Sequence, residues 1–362
     1  MNIGIIGSRG IPNRYGGYEQ VAGYLSAGFV QRHHRVSVYN SHRHPYRENT
    51  WNGVNIIRCY DPESWMGTAG QFIYDLNCIR DARKRKFDIL LFLGYTSSSL
   101  WGSIYPKKSI IITNMDGMEW MRSKYSKPVR KFLKYAEKLA VRSSKFHIAD
   151  SIVIKDYLDK KYGINCRYIA YGSDKISDVF KTSDILFDAE PGYFMLMARM
   201  EKENNIDIIL EGYQLTAPKE EIIVVGDNTN GYGKSLVRKY VNNENIKFKG
   251  AIFDGDIIRG LIAGSSLYFH GHSVGGTNPS LLEAMASNAL IAAHDNPYNR
   301  AILGDDGIYF STSSDVKRII SHPQDDRERM IKNNAHKIST LYTWDKIIDD
   351  YEQFFKECLL AG

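Results

Sequence analysis

A glycine-rich segment, residues 270–286, carries the residue types that bind a diphosphate. A short apolar run leads into the glycines, and Pro279 stands where a helix would begin. Backbone N–H groups at a helix start, together with the helix dipole, favour an anion. We therefore predict that a diphosphate lies at this helix start and that Glu283, about one turn into the helix, binds a ribose diol. The predicted donor-binding residues of this segment are Gly276, Thr277, Asn278 and Leu281, with the helix start from Asn278 to Leu281 at the diphosphate.

Arg199 is a second candidate for binding phosphate. It follows residues 193–197, an apolar run that predicts a buried strand. A guanidinium at a strand end can bind a phosphate through two parallel hydrogen bonds. The alternative is a surface arginine paired with Glu201 or Glu203, because exposed ion pairs of this kind are common and weak.

The segment 114–120 places two carboxylates and an indole within seven residues after another apolar run. Asp116 and Glu119 are candidates to orient a hydroxyl nucleophile or to accept its proton. Trp120 is a candidate to stack on a sugar ring. The alternative, to which we give equal weight, is a helix cap in which Asp116 precedes Glu119 by three residues.

Two glycines, Gly16 and Gly17, lie where the first helix is predicted to begin. Their bare backbone can approach a phosphate or a sugar closely, so we predict a contact to the donor; the alternative is a flexible surface loop. Earlier glycines have the spacing of a nicotinamide-binding turn, but Pro12 prevents a helix from opening there. Asn40 also stands near the place where an acidic ribose ligand is expected.

Two patterns raise the question of a bound metal ion. Asp254-Gly255-Asp256 is the D-x-D pattern of some metal-dependent sugar transferases. A helical pattern follows it, so we favour a helix N-cap. His270 and His272 have no third ligand at the usual spacing for zinc. We predict that the protein uses no metal.

Short β-branched runs alternate with helical patterns along the chain, which predicts parallel sheets with helices on both faces. The alternation stops over residues 171–191, a polar stretch with glycine and proline that predicts a linker. We predict an α/β protein of two tandem Rossmann-like domains, residues 1–172 and 190–340. The amphipathic segment 344–362 is expected to cross back to the first domain. Ligands bind at the carboxyl ends of parallel strands, so the predicted site is a cleft between the domains.

Charge is distributed unevenly along the 362 residues. Residues 1–180 contain 28 Lys and Arg against 15 Asp and Glu, a net charge of +13, whereas the remainder contains 19 against 26, a net charge of −7. The basic half either attracts the acidic half or meets an anionic partner such as a membrane surface. Its densest basic patches are residues 80–86 and 124–145. No basic-aromatic nucleic-acid module occurs, so we expect no nucleic-acid partner.

The remaining composition favours a cytoplasmic location. No run of about 18 uncharged apolar residues predicts a spanning helix, and the first residues do not have the pattern of a signal peptide. The four cysteines lie far apart without a CxxC pair, which is typical of reduced thiols rather than a disulfide framework.

Three strings in the sequence resemble a known family. They are GSRGIPNRYGGYE, NMDGMEW and HGHSVGGTNPSLLEAMA. With the tandem domains, they resemble the retaining glycosyltransferases of family 4, which have the GT-B fold. Within that family they are similar to the bacterial rhamnosyltransferase-type branch, which builds capsule and other surface polysaccharides. The resemblance covers nearly the whole chain.

The resemblance implies roles for individual residues. Glu283 matches the second glutamate of a paired-glutamate motif and would bind the ribose, while Gly275 stands where the first glutamate is expected. Arg199 matches a diphosphate-binding arginine. The family's following lysine falls at an asparagine here, and Lys202 is the nearby substitute. Asp116 stands where many members have a histidine, but the branch resembled here has the same DGxEW string.

The resemblance also implies a reaction. A sugar, L-rhamnose by preference, would move with retention from a nucleotide diphosphate donor to a hydroxyl of a lipid-linked saccharide at the inner face of the membrane. The donor would be dTDP-L-rhamnose or a UDP-sugar, with no cofactor. The alternatives are a nucleotide-sugar epimerase, whose turnover needs no acceptor, an NAD-dependent oxidoreductase, which would bind NADH, and a carbohydrate-binding module, which would not hydrolyse the donor.

Overall fold

The computed structural model describes residues 1–14, 16–115, 117–122, 124–174, 192–322 and 325–361. The chain forms two compact units. The first consists of Met1–Trp120, Tyr125–Gly172 and Trp344–Gly362, and the second of Met121–Lys124 and Ser173–Thr343. Each unit contains a parallel sheet flanked by helices, so the predicted α/β class is confirmed. Most of the predicted linker, residues 175–191, lies outside the described residues.

The first unit is built on an eight-stranded sheet in the order β3-β4-β2-β1-β5-β6-β7-β8, parallel except for the β3–β4 pair. Its strands are β1 (Asn2–Ile6), β2 (Arg35–Ser41), β3 (Thr50–Trp51), β4 (Val54–Cys59), β5 (Ile89–Leu93), β6 (Ile110–Asn114), β7 (Phe146–Ala149) and β8 (Arg167–Tyr168). Its helices are α1 (Gly17–Gln31), α2 (Glu63–Met66), α3 (Gly70–Ala82), α4 (Lys127–Ser143), α5 (Ile152–Tyr162) and the last helix of the chain, α13 (Trp344–Leu360).

The central strands of this sheet are apolar because both of their faces are covered. Every residue of β5 is buried, as expected for a parallel strand between two helical layers. The order of the strands reverses between β1 and β5, so the loops after these two strands diverge and leave a crevice at the carboxyl edge.

Helix α13 packs on α1 of the same unit, as its amphipathic pattern predicted. The Trp344 indole stacks on Tyr24 with ring centroids 4.2 Å apart, and Phe355 packs on Phe29 at 5.5 Å. In the same contact, and largely shielded from solvent, His34 Nε2 lies 2.8 Å from Glu352 Oε1. The apolar face of the last helix therefore completes the core of the first unit.

The second unit contains a six-stranded, fully parallel sheet in the order β11-β10-β9-β12-β13-β14. Its strands are β9 (Phe194–Met197), β10 (Ile222–Val225), β11 (Ile246–Gly250), β12 (Leu267–His270), β13 (Ile291–His294) and β14 (Ile308–Phe310). Its helices are α6 (Ile206–Thr216), α7 (Gly231–Lys239), α8 (Gly255–Ala263), α9 (Pro279–Ala286), α10 (Pro297–Leu303), α11 (Ser313–Ser321) and α12 (Arg327–Leu341). Here the strand order reverses between β9 and β12.

Two further predictions from the sequence, on membrane-spanning helices and on the cysteines, can be compared with the structure. Throughout the described ranges, no helix is long and apolar enough to cross a bilayer. The four cysteines are buried free thiols.

A buried carboxyl lies on α3 of the first unit. Asp75 on α3 is 2% exposed and accepts a hydrogen bond from the Ser97 hydroxyl, but its Oδ1 has no hydrogen-bond partner among the described residues. Burial raises the pKa of Asp75 to about 7, and the nearby Asp61 carboxylate adds to the shift, while the Ser97 hydrogen bond opposes it. The folded first unit therefore prefers Asp75 in its protonated form.

This carboxyl predicts a loss of stability with rising pH. In the unfolded chain Asp75 ionises near its ordinary pKa of about 3.9, whereas in the folded chain it stays protonated until about pH 7. The folded state thus binds the extra proton in this window, and the free energy of unfolding falls as pH rises through it. In Asp75→Asn this component of the pH dependence should be absent. Urea unfolding of both proteins between pH 5 and 8 measures it, and parallel stability curves would contradict the assignment.

Candidate functional site

The loops after β9 and β12 are joined to each other at the strand reversal of the second sheet. Ser273 donates from its backbone N–H and from its hydroxyl to the Glu203 carbonyl, at 3.1 and 2.7 Å. The Asn205 side chain donates to the Gly271 carbonyl at 2.8 Å. A Cβ at Gly271 would overlap the carbonyl oxygen of Asn204, so only glycine permits this approach. Arg199 and the glycine-rich loop therefore belong to one site.

The start of α9 is capped by its own residues. The Asn278 side chain accepts from the Ser280 N–H at 3.0 Å, and its carbonyl accepts from the amides of Leu281 at 3.0 Å and Leu282 at 3.2 Å. These amides are not free to hold a diphosphate, contrary to the sequence expectation. The Leu281 side chain is also fully buried, which leaves this residue no group for a ligand. The helix dipole remains available because Pro279 and Asn278 lie at its open end.

The N–H groups that can still serve an anion come from the loop before the helix. No acceptor among the described residues bonds to the amides of Gly275 and Gly276, whereas Thr277 is buried. Gly275 has φ +138°, a conformation that residues with a Cβ rarely adopt, although a Cβ there would meet no atom. A glutamate at this position would thus strain the backbone. The structure gives a local reason for the glycine at the first position of the motif.

Arg199 is not paired with either neighbouring glutamate, which answers the alternative raised by the sequence. Glu201 instead pairs with Lys124 at 3.1 Å, and Glu203 pairs with Arg122 at 2.9 Å. Arg199 and Lys202 are exposed and make no side-chain ion pair or hydrogen bond to the described residues. The two cations of this turn therefore make no direct ion pair with the described residues, although Arg199 lies close enough to Glu201 to lower its pKa.

Arg122 and Lys124 were not predicted as site residues. Arg122 lies 81 positions before its partner Glu203, and the side chains of the pair are only 14% and 4% exposed. In the sequence, Lys124 belongs to the basic patch 124–145 and Arg122 precedes it, and no local signal assigned either cation to the second unit. Their charges leave the surroundings of Arg199 more positive than the sequence of the turn suggests.

The charges in this cluster shift the pKa values of neighbouring side chains. Burial acts to raise the pKa of Glu201, but the positive charges of Arg199 and Lys124 outweigh it and hold that pKa below its usual value. Burial lowers the pKa of His272 to about 3, and the cations Arg199 and Arg122 add to this effect. His272 is therefore neutral at neutral pH, as is His270, whose pKa burial lowers well below the ordinary value. The positive potential at the site therefore comes from arginine and lysine side chains and not from the two histidines.

Glu283 lies on α9, half-buried, as the motif required. Burial raises the pKa of its carboxyl; Arg259 opposes this shift and Asp174 adds to it. The nearby Asp254 accepts from the amides of Asp256 at 2.9 Å and Ile257 at 3.2 Å, so it caps α8 as predicted. No cluster of potential metal ligands occurs among the described residues.

In the first unit, the loop after β1 is anchored rather than free. Asn40 donates to the Ile11 carbonyl at 2.8 Å and accepts from its N–H at 3.0 Å, so this residue holds the loop where a dinucleotide enzyme would bind ribose. Helix α1 begins at Gly17, with Gly16 as its N-cap residue. A Cβ at Gly17 would lie 2.6 Å from the Tyr171 hydroxyl, which explains the glycine. Both glycines keep their predicted position at a helix start.

The loop after β6 contains the second group of predicted residues. Asp116 lies outside the described residues. Glu119 is half-buried in a single helical turn, Glu119–Met121, and the Gly117 carbonyl accepts from the Tyr95 hydroxyl at 3.3 Å. The ammonium of Lys134 lies 4.1 Å from the centre of the Trp120 ring. One face of this indole is therefore covered by a cation, which leaves at most the other face for the predicted sugar contact.

Glu137 fixes the position of Trp120 and was not anticipated from the sequence. Its carboxylate is 1% exposed on α4 and accepts from Trp120 Nε1 at 2.9 Å. The other three donors are Lys161 Nζ at 2.8 Å, the Tyr157 hydroxyl at 2.9 Å and the Tyr162 hydroxyl at 2.6 Å. Four donors, one from the loop after β6 and three from α5, meet one buried carboxylate, so Trp120 is held in one place.

Comparison with known proteins gives two family matches. Residues 1–174 match a domain of unknown function (DUF1972), and residues 177–337 match the glycosyl transferases group 1 family. No curated protein sequence matches the chain.

Solved structures with this fold span the whole chain. A sucrose-phosphate synthase from Thermosynechococcus elongatus has a TM-score of 0.83 and 15% identity, covering 100% of both chains. HepE from Anabaena in complex with UDP has a TM-score of 0.74 and 16% identity, covering 99% of this chain and 100% of its own. The catalytic domain of starch synthase IV from Arabidopsis thaliana, bound to ADP and acarbose, has a TM-score of 0.73 and 11% identity, covering 99% of each chain. The fold is therefore GT-B, as predicted. This fold and the group 1 match over the second unit support a glycosyltransferase.

The buried carboxylate on α4 yields a stability prediction. Glu137→Leu leaves Lys161 and three other donors without their acceptor, and breaking a buried pair of this kind costs about 3–5 kcal/mol. Urea unfolding should show a loss of that order. The exposed Glu48→Leu is the matched control and should change stability by less than about 0.5 kcal/mol. Equal, small effects of the two substitutions would show that Glu137 does not organise this region.

Proposed function

We propose that the protein is a retaining glycosyltransferase that transfers a sugar from a nucleoside diphosphate to a hydroxyl of a saccharide. The proposal rests on the charge pattern where the strand order of the second sheet reverses, between β9 and β12. Glu201 and Glu203 form their direct ion pairs with Lys124 and Arg122, so the guanidinium of Arg199 keeps its hydrogen-bond donors for an external anion. The glycine-rich loop beside it supplies backbone donors from Gly275 and Gly276.

These groups suit the leaving diphosphate. During transfer, the bond from the anomeric carbon to the phosphate oxygen breaks, and the acceptor oxygen bonds to the same carbon on the same face. The acceptor proton passes to the departing diphosphate. Negative charge thus grows on the phosphate oxygens, where Arg199, Lys202 and the loop amides are proposed to stabilise it. Because cations and amides meet this charge, the proposed reaction needs no metal.

The remaining site residues would hold the two substrates. Glu283 is proposed to bind the donor ribose, with Gly16, Gly17, Thr277 and Asn278 shaping the donor site. Glu119 and Asp116 are proposed to orient the acceptor hydroxyl. The strings that resemble the rhamnosyltransferase-type branch favour dTDP-L-rhamnose, and the UDP complex of HepE makes a UDP-sugar the next choice. The group 1 match favours a transferase over an epimerase or an oxidoreductase.

We place the reaction in the synthesis of a bacterial surface polysaccharide such as capsule, on a lipid-linked acceptor at the inner face of the membrane. Helix α4 supports this proposal. It buries Leu133, Ala136 and Ala140 on one face. Its opposite face exposes five cations: Lys127, Lys131, Lys134, Lys138 and Arg142. Other members of the predicted patches are engaged elsewhere, since Lys124 pairs with Glu201 and Arg85 with Asp81.

Arg199 gives the sharpest test of the reaction. Arg199→Ala should reduce nucleotide release from the sugar donor at saturating concentration by roughly 100-fold, because charge grows on the diphosphate in the transition state. Arg238→Ala, an exposed arginine on α7 of the same unit, is the matched control and should behave as the parent protein. A near-normal rate in Arg199→Ala would remove this residue from the site.

The exposed lysines of α4 predict salt-sensitive binding to anionic vesicles. Each basic side chain near such a surface contributes about 1 kcal/mol, so replacing Lys127, Lys131 and Lys138 together by alanine should release most of the bound protein. The control replaces three exposed lysines of the second unit: Lys219, Lys234 and Lys317. Sedimentation with phosphatidylserine vesicles at low and high salt measures the effect. Binding that survives high salt, or that is lost equally in both triple variants, would contradict this surface.

A further inference from the structure

A small pocket lies in the first unit, at the carboxyl ends of β1, β2 and β4. Its volume is about 220 Å³, and all of its lining residues are polar or charged, with their aliphatic carbons forming part of the wall: Arg9, Ser41, Arg43, Asp61, Glu63 and Ser64. This volume is below the range of about 300–1,000 Å³ that holds drug-sized ligands. The pocket therefore fits a single small ring rather than a nucleotide. None of its residues belongs to the donor or acceptor groups assigned above.

The pocket offers hydrogen-bond donors and acceptors without net charge. Arg9 pairs with Glu63, and the buried Asp61 accepts from the Glu63 N–H at 2.9 Å. The guanidinium of Arg43 is exposed and makes no ion pair with the described residues. The two arginines and two carboxylates cancel in formal charge. Such a lining selects neither an anion nor a cation, but it suits hydroxyl groups, which donate and accept at the same time.

Two exposed aromatic rings stand directly beside this pocket in the chain. Trp65 follows the lining residue Ser64 and is 70% exposed, and Tyr60 precedes Asp61 and is 54% exposed. Trp65 Nε1 lies 3.4 Å from the Tyr60 hydroxyl, and the Tyr60 ring packs on His42 with centroids 5.1 Å apart. An indole exposed to this degree, yet oriented by a neighbour, presents a flat apolar face to solvent.

We propose that this pocket and Trp65 form a subsite for a neutral saccharide ring of the acceptor. The ring would stack its C–H face on the Trp65 indole and place its hydroxyls among Arg43, Asp61 and Ser41. This inference rests on the proposed function, which supplies the reason for an acceptor saccharide. The polar lining argues against an acyl chain, and the cancelled charge argues against a phosphate.

The indole N–H signals of the five tryptophans report this binding directly in a nitrogen–proton NMR spectrum. The probes are the methyl glycosides of L-rhamnose, D-glucose, D-galactose and D-mannose, each titrated to tens of millimolar. The Trp65 signal, assigned with Trp65→Phe, should shift saturably with at least one glycoside. Arg43→Ala should weaken that binding by about tenfold, the loss of one good hydrogen-bonding group. Phe253→Ala, which removes a 91% exposed ring of the second unit, should leave it unchanged.

Titration of UDP and dTDP into the same samples separates this inference from the proposed function. If a nucleotide binds while no glycoside shifts Trp65, the subsite is wrong and the transferase proposal stands. If neither nucleotide binds, the transferase proposal fails, whatever Trp65 does. A Trp65 signal that responds to phosphatidylserine vesicles but not to glycosides would make this surface a membrane contact and overturn the subsite. An unchanged affinity in Arg43→Ala would also overturn it.

Discussion

The ion pair between Arg122 and Glu203 is the interaction on which the candidate site of the second unit depends. Its two side chains are nearly excluded from water, so loss of either partner would leave an uncompensated buried charge. The backbone carbonyl of Glu203 also holds Ser273 of the glycine-rich loop. One buried pair therefore fixes the turn that carries Lys202, fixes the loop that faces it, and prevents Glu203 from neutralising Arg199. The charge of this site and the arrangement of its two loops therefore both depend on the ion pair between Arg122 and Glu203.

Carboxyl groups that are removed from water differ in how their surroundings compensate them. Glu137 has four donors around it, including a lysine, and serves as a rigid anchor for Trp120. Asp75 has one hydroxyl donor and a pKa raised by burial to about 7. In the second unit, by contrast, Glu201 stays ionised because two cations outweigh its burial. The first unit thus contains both a rigid ionic anchor and a carboxyl that is neutral in part near pH 7, while the second keeps a half-buried carboxylate ionised.

Periodicity and glycine spacing were sufficient to predict the class of the fold. Buried runs such as Ile222–Val225 and Ile89–Leu93 are long enough to identify parallel strands, whereas β3 and β8 have two residues each and no pattern to detect. Arg199 and Glu283 could be proposed as site residues because each belongs to a motif that follows a strand, and their roles stay predictions. Arg122 and Glu137 could not be connected to the same regions from the sequence, because their partners lie far away in the chain. The amides of Ser280 and Leu281 were misjudged because Asn278 satisfies them itself, a detail of capping geometry that composition does not reveal.

The central claim is that the strand reversal of the second sheet binds a diphosphate through charge left free at Arg199. Calorimetric titration of dTDP and UDP, each compared with its monophosphate and its nucleoside, tests this claim most directly. The account predicts that at least one diphosphate binds about tenfold or more tightly than its monophosphate, and that added salt weakens this preference. Equal affinities for nucleoside, monophosphate and diphosphate, unaffected by salt, would contradict it.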